Sequence, residues 1–209
     1  MIAYILCFLA AWLLGSIPTA AWISQHYYHK DLRCLGSGNA GATNAWRVFG
    51  WRAGLLVLII DVGKGVLAVV GPALFLGKLT LNPWELIPSW FLVLCGFIAI
   101  IGHSKSIFLG WHGGKSVATS AGVLLAMMPF PATLAGLVFV VVYTLTRLVS
   151  LASLVAAALL PILVFFAGEV QGAWYHTPHF VLALLVMVVV IVRHRANIIR
   201  LWHGREYRM

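Results

Sequence analysis

Residues 55 to 76 read LLVLIIDVGKGVLAVVGPALFL. A run this long and this apolar, broken only by Asp61 and Lys64, is long enough to cross a bilayer as one helix. It is not isolated. Further apolar runs cover about 3–22, 86–101, 151–167 and 180–192, and they are continuous rather than alternating, which favours helices over a barrel. The whole chain of 209 residues is 62% hydrophobic and only 9% charged, too little polar surface to cover a water-exposed globule. The expected fold is therefore all-α: a polytopic membrane protein forming a single integral membrane domain over residues 1–209. The start, MIAYILCFLAAWLLG, lacks the cationic region of a signal peptide, so it is expected to stay as the first span.

The stretch 117–145 decides the span count. As one helix its roughly 29 residues would reach about 44 Å, too long for a hydrocarbon core of about 30 Å. Pro129-Phe130-Pro131 inside it breaks helices, so two short helices are expected. That gives seven transmembrane helices with the N-terminus outside and the C-terminus cytoplasmic. Lys30, Arg33, Arg47, Arg52, Lys105, Lys115, Arg147 and the five tail arginines then share the cytoplasmic side, with Lys78 alone outside. A single helix would turn Arg147 and the tail outward, against the positive-inside rule. The same rule accounts for the net charge of +9 without nucleic acid. Cys7, Cys34 and Cys95 are far apart and suggest neither a disulfide framework nor a metal site.

Three polar segments fall on that cytoplasmic face. The first, GSGNAGATNAWRVFG (36–50), contains G-x-G-x-x-G, but no strand precedes it and no βαβ unit follows, so a dinucleotide cofactor is excluded. What survives is anion chemistry. Glycines let backbone N–H groups turn toward a phosphate, and a helix starting near Ala40 would put Asn44 and Arg47 three residues apart, Thr43 and Arg47 four apart, on one face. Ser37, Gly38, Asn39, Asn44 and Arg47 are the candidates; a plain interhelical turn carrying an interfacial Arg has equal weight on this segment alone.

The second segment, GHSKSIFLGWHGGKSVATSAG (102–122), carries Gly113-Gly114-Lys115-Ser116 and Thr119 ahead of a helix. The upstream glycine spacing of a nucleotide-hydrolysing P-loop is missing, so anion binding without hydrolysis is expected. His103 is either a ligand or a histidine satisfied at a helix end, and Lys115 either a ligand or a topology-setting lysine. The third segment, RHRANIIRLWHGREYRM (193–209), puts His194 and Asn197 on one helix face. Its arginines suit a tail on anionic lipid, which leaves the His/Asn pair and Glu206 unexplained. Asp61 and Lys64, three residues apart within a span, are a functional candidate or a self-neutralising pair supporting the pocket floor. His26 and Asp31 form H-x4-D, a pattern used by one class of glycerolipid acyltransferase, but no companion motif of that class follows.

In this order, the segments GSGNAGATNAWRVFG, GHSKSIFLGWHGGKSVAT and HRANIIRLWHGRE resemble the bacterial acyl-phosphate:glycerol-3-phosphate acyltransferases. The first is close to the family's GSGNxGATN-x-x-R and the third to its H-x-x-N-I-x-R-L-x-x-G-x-E. The likeness runs from about residue 15 to 206. It implies a seven-helix enzyme of the bacterial plasma (inner) membrane with its site on the cytoplasmic side. The implied reaction moves a fatty acyl group from acyl phosphate to the sn-1 hydroxyl of glycerol 3-phosphate, the first step of phospholipid synthesis, with no cofactor, no metal and no obligate protein partner. Lys115, His194 and Asn197 are then the catalytic candidates. Ser37, Gly38, Asn39, Asn44, Arg47, His103, Gly113, Gly114, Ser116, Thr119 and Glu206 are the substrate-binding ones, with Asp61 and Lys64 supporting them. The second segment departs from the family pattern, which has Pro at Ser106, Lys at His112 and Gly at Ser116. A transporter of an organic phosphate is the rival, but it would be expected to show internal repeats and midplane helix breaks, and no repeat is found.

Overall fold

The computed structural model describes residues 1–77, 87–171 and 176–209, the side chains of 169–171 and 176 excepted. Lys78 and the start of the run at 86 lie outside the described residues. All regular structure among the described residues is helical. Contacts divide the chain into two compact units, 1–126 and 127–209.

The first unit begins with α1 (Ile2–Ser16) and α2 (Thr19–Tyr28), bent by 45° at Ile17-Pro18. The proline explains the break, since the residue before it is pushed out of helical geometry, and Ile17 sits at φ −54°, ψ 114°. A 3-10 turn (Leu32–Cys34) and a glycine loop lead into α3 (Ala42–Phe49), and Gly50 at φ +91° separates it from α4 (Trp51–Leu76). Next come α5 (Ser89–Ser104), a 3-10 turn (Ile107–Leu109) and α6 (Val117–Met127). α1 lies along α5, and α4 touches α1, α2, α3 and α5.

Between membrane helices water offers little driving force for association, so close packing matters more. Small residues supply it here. A Cβ at Gly15 would run into the Ala99 backbone, and one at Gly122 into the Val62 carbonyl, so α1 and α5, and α4 and α6, approach backbone to backbone. Cys95, Ala99, Ile100, Val57 and Val123 are fully buried, while Leu6, Leu9, Ile59 and Leu67 point outward.

The second unit holds α7 (Pro129–Thr146), α8 (Val149–Gln171), α9 (His176–Arg193) and α10 (Arg195–Trp202). The chain leaves helical geometry at Met128, where the two prolines predict a break, and Pro129 starts α7. Arg147, left-handed at φ +60°, ends α7 and reverses the chain into α8. α9 and α10 meet at 61° around His194. The Met209 N–H donates to the Arg147 carbonyl at 3.2 Å, so the tail ends at the α7–α8 turn.

Among the described residues, three helices are long and apolar enough to cross a membrane, or up to five spans if each bent pair counts as one. α5 and α6 are shorter apolar helices.

Candidate active site

The glycine loop before α3 is built around Asn44. Its side chain is buried, accepts the Ser37 N–H at 2.9 Å, and donates to the carbonyls of Leu35 at 2.9 Å and Leu32 at 3.3 Å. Gly36 at φ +58° and Gly38 at φ +72° make the turn, and a Cβ on Gly36 would strike Asn44 Oδ1. Beneath the loop, Leu32 packs with Ala20, Ala45 and Val57, and Ser24 Oγ accepts the Leu32 N–H. The helix starts at Ala42 rather than Ala40, with Gly41 extended at its N-cap. Ser37, Asn39 and Arg47 are half-buried and Gly38 is exposed. Asn44, a substrate-binding candidate by sequence, here has its side chain bonded to three backbone groups that close the loop.

The second loop meets the first. The Gly114 N–H donates to the His103 carbonyl at 3.2 Å. A Cβ at Gly114 would collide with His103 Nε2 and come 3.1 Å from the Ala40 carbonyl. The His103 ring and the end of the first glycine loop therefore both crowd the side of Gly114 that a side chain would occupy. Lys115 follows, half-buried, one residue before the turn into α6.

Ser116 and Thr119 do not present their side chains as expected of substrate ligands. Ser116 adopts φ +62°, where a side chain is disfavoured, and its buried hydroxyl donates to the Ile100 carbonyl of α5 at 2.8 Å. Thr119 is fully buried against α4, its carbonyl where a Gly65 side chain would sit. Among the described residues its hydroxyl has no hydrogen-bond partner. Helix-to-helix packing at Gly65 turns Thr119 inward. Ser106 is also buried, and its Oγ donates to the Ser16 carbonyl at the end of α1. His112 is exposed, with Nδ1 2.7 Å from the Gly110 carbonyl.

A buried charge cluster lies under this loop. Asp61 and Lys64 pair at 2.7 Å, both almost wholly buried. Thr19 Oγ1 donates to Asp61 Oδ1 at 2.9 Å, Lys64 Nζ donates to the Ile17 carbonyl at 2.8 Å, and His103 Nδ1 is 3.8 Å from Asp61. The pair thus satisfies groups exposed by the α1–α2 break and reaches the histidine that supports Gly114. Thr19 and Ser106 were not legible as part of this arrangement, because only the fold brings the broken helix to them.

The His26/Asp31 pattern is not a dyad. Asp31 grips Arg33 through both oxygens, at 2.7 Å for the shortest contact, which lowers its carboxyl below the ordinary range; His26 Nδ1 bonds to the Trp22 carbonyl.

In the second unit, His194 is buried and its Nδ1 lies 2.8 Å from the Val190 carbonyl. A carbonyl only accepts, so Nδ1 carries the proton and Nε2 is the ring's acceptor in the neutral form. Asn197 Nδ2 donates to Glu206 Oε1 at 2.7 Å and Arg200 Nε to Oε2 at 3.0 Å. Glu206, expected against substrate, instead ties the tail back onto α10, since both its oxygens hold α10 side chains. Arg200 also lies over the Tyr207 ring.

Comparison with known proteins agrees with the motifs. The family model described as glycerol-3-phosphate acyltransferase matches residues 5–204. A glycerol-3-phosphate acyltransferase of Limosilactobacillus reuteri is 46% identical over 94% of this chain and 86% of its own. One of Listeria monocytogenes is 43% identical over 97% and 94%. A crystal structure of PlsY, an integral membrane glycerol 3-phosphate acyltransferase, in its glycerol 3-phosphate form superposes with TM-score 0.85 at 36% identity, covering 99% of this chain and 95% of that one. Its lysophosphatidic acid form gives 0.82 at 34%. With the family's motifs in order and its fold reproduced over nearly the full length, the chain belongs to the glycerol-3-phosphate acyltransferase (PlsY) family.

Proposed function

We propose that the protein transfers a fatty acyl group from acyl phosphate to the sn-1 hydroxyl of glycerol 3-phosphate, releasing lysophosphatidic acid and phosphate. The observation that carries this reading is the close approach of two glycine loops at Ala40 and Gly114, with Lys115 next in sequence to Gly114, in a chain of this family. Glycerol 3-phosphate and lysophosphatidic acid name the two forms of the similar PlsY structures, which supports them as acceptor and product here. Acyl phosphate as donor and the sn-1 position rest on the motif resemblance.

In this mechanism the glycerol hydroxyl oxygen attacks the acyl carbonyl carbon. The bond from that carbon to the phosphate oxygen breaks, and phosphate leaves with the electron pair. No covalent enzyme intermediate is needed, because acyl phosphate is already activated. Gly113, Gly114 and Lys115 hold the donor, and Lys115 with the backbone N–H groups at the start of α6 offsets charge on the departing phosphate. His103 acts through Gly114. Ser37, Gly38, Asn39 and Arg47 hold glycerol 3-phosphate, Arg47 gripping its phosphate. The motif resemblance assigns His194 and Asn197 to the same reaction. The proton goes to His194 Nε2 or to a substrate phosphate oxygen, whose second pKa is near neutrality.

The membrane arrangement belongs to the same proposal: seven spans in a bacterial plasma membrane, N-terminus outside, active site on the cytoplasmic side, one functional domain. Reconstitution of the purified protein with acyl phosphate and glycerol 3-phosphate tests the reaction. Phosphate release that requires both substrates is expected; glycerol 3-phosphate uptake into vesicles without acyl phosphate would replace the enzyme with a transporter.

A further inference from the structure

Ser116 occupies a conformation its residue type avoids. At φ +62° the Cβ of an L-residue crowds the neighbouring backbone, and such sites are normally left to glycine or asparagine. Its carbonyl accepts the Ser120 N–H at 2.7 Å, so Ser116 flanks the first turn of α6 in the N-cap position. A serine there usually has extended backbone and caps its own helix with its hydroxyl. Ser116 instead sends its buried hydroxyl across to the Ile100 carbonyl of α5 at 2.8 Å. The loop is pinned at its other end in the same way, by Ser106 Oγ to the Ser16 carbonyl, and at its middle by Gly114 N–H to the His103 carbonyl. Each tether runs from the loop to a helix backbone, α1 or α5.

We propose that Ser116 is a positioning residue of the phosphate loop: its hydroxyl bond to Ile100 holds the left-handed turn that aims the N–H groups of Ser116 and Val117 at the donor's phosphate. This rests on the reading of that loop as the acyl-phosphate site. Because the side chain is buried against α5, Ser116 touches no substrate. It fixes where the backbone on either side of it points. Glycine at this position would allow the turn without holding it, whereas alanine would keep the steric conflict and lose the bond.

Two variants separate these effects, and two readouts separate the clamp from the enzyme reading. Ser116→Ala is expected to raise the KM for acyl phosphate about tenfold with kcat within about threefold, and Ser116→Gly to stay within about threefold of wild type in both. Amide hydrogen exchange over residues 113–120 is expected to quicken from wild type through Ser116→Gly to Ser116→Ala, whether or not the protein turns over. An alanine variant with wild-type KM and wild-type exchange overturns the proposal, as does a glycine variant impaired as much as alanine. If the alanine variant does not accumulate, Ser116→Gly decides: faster exchange with near-normal KM supports the clamp, and unchanged exchange overturns it. If wild type shows no acyl transfer while the exchange order holds, the functional reading falls and the clamp stands.

Discussion

At the scale of single residues, the distinction that matters is between side chains that face a ligand and side chains that shape the backbone that does. Asn44 is of the second kind. Removing its amide would leave the Ser37 N–H and the carbonyls of Leu32 and Leu35 without their partner inside a buried turn. An unsatisfied buried polar group costs about 1–3 kcal/mol. Asn44→Ala is therefore expected to destabilise the protein by about 2–4 kcal/mol, allowing for partial access of water to the loop. Excess glycerol 3-phosphate should not restore its turnover. Denaturant unfolding in detergent together with a substrate titration checks this; a stable variant rescued by substrate would return Asn44 to the ligands. Arg47 is of the first kind in the proposed site. Arg47→Ala is expected to raise the KM for glycerol 3-phosphate at least about tenfold while changing the KM for acyl phosphate much less, since each charge-assisted bidentate contact is worth more than a neutral hydrogen bond. The reverse pattern would exchange the two phosphate sites. Sequence spacing read Arg47 and Asn44 alike because both sit on α3. Only the burial of Asn44 separates them, and burial depends on the 3-10 turn at Leu32–Cys34 folding back beneath the helix.

At the scale of elements, the broken helix α1–α2 and the charged turn of α4 explain each other. The break at Ile17-Pro18 exposes carbonyls, and Lys64 and Ser106 supply donors to Ile17 and Ser16. Asp61 balances Lys64 and takes the Thr19 hydroxyl at the first turn of α2. Breaking a buried ion pair from one side typically costs about 3–5 kcal/mol, because the other charge stays buried. Asp61→Leu should show that cost, whereas Asp61→Asn should lose less, since its amide oxygen still accepts from Thr19 and Lys64. The double variant Asp61→Leu with Lys64→Met is expected to be less damaged than the sum of the singles. Unfolding midpoints for the four proteins give the coupling, and strict additivity would show that the pair does not act as a unit. Much of this was legible. The apolar runs became helices, the prolines at 129 and 131 mark a break, and Asp61 with Lys64 at i,i+3 is an ion pair. What spacing could not give was the partners: Thr19, Ile17 and His103 lie 42, 47 and 42 residues from the charges they meet, a relation set by helix packing. The same holds for Ser116, whose departure from a glycine pattern raised the question that its bond to Ile100 answers.

At the scale of the whole molecule, the open quantity is which segments cross and in which direction. The seven-span proposal rests on cation placement, and the second unit adds a geometric point. The Met209 N–H meets the Arg147 carbonyl, so the tail and the α7–α8 turn share one end of that unit, as a common cytoplasmic side requires. Two exposed positions turn this into a measurement. Cys34 is exposed just before the first glycine loop, while Cys7 and Cys95 are buried and serve as silent controls. Arg208 is exposed in the tail. A membrane-impermeant maleimide should leave Cys34 unmodified in right-side-out vesicles and label it in inside-out ones. Arg208→Cys in a Cys34→Ser background should behave the same way. Seven spans place six crossings between the two positions, and any even number puts them on one side. If 117–145 crossed as a single helix, five crossings would separate them and the two cysteines would label from opposite sides. Labelling of both from outside would keep an even number of crossings and invert the orientation, moving both glycine loops away from the cytoplasm. Labelling of both from inside puts the arginine-rich tail and the loops of the proposed site on the side where the positive-inside rule places them.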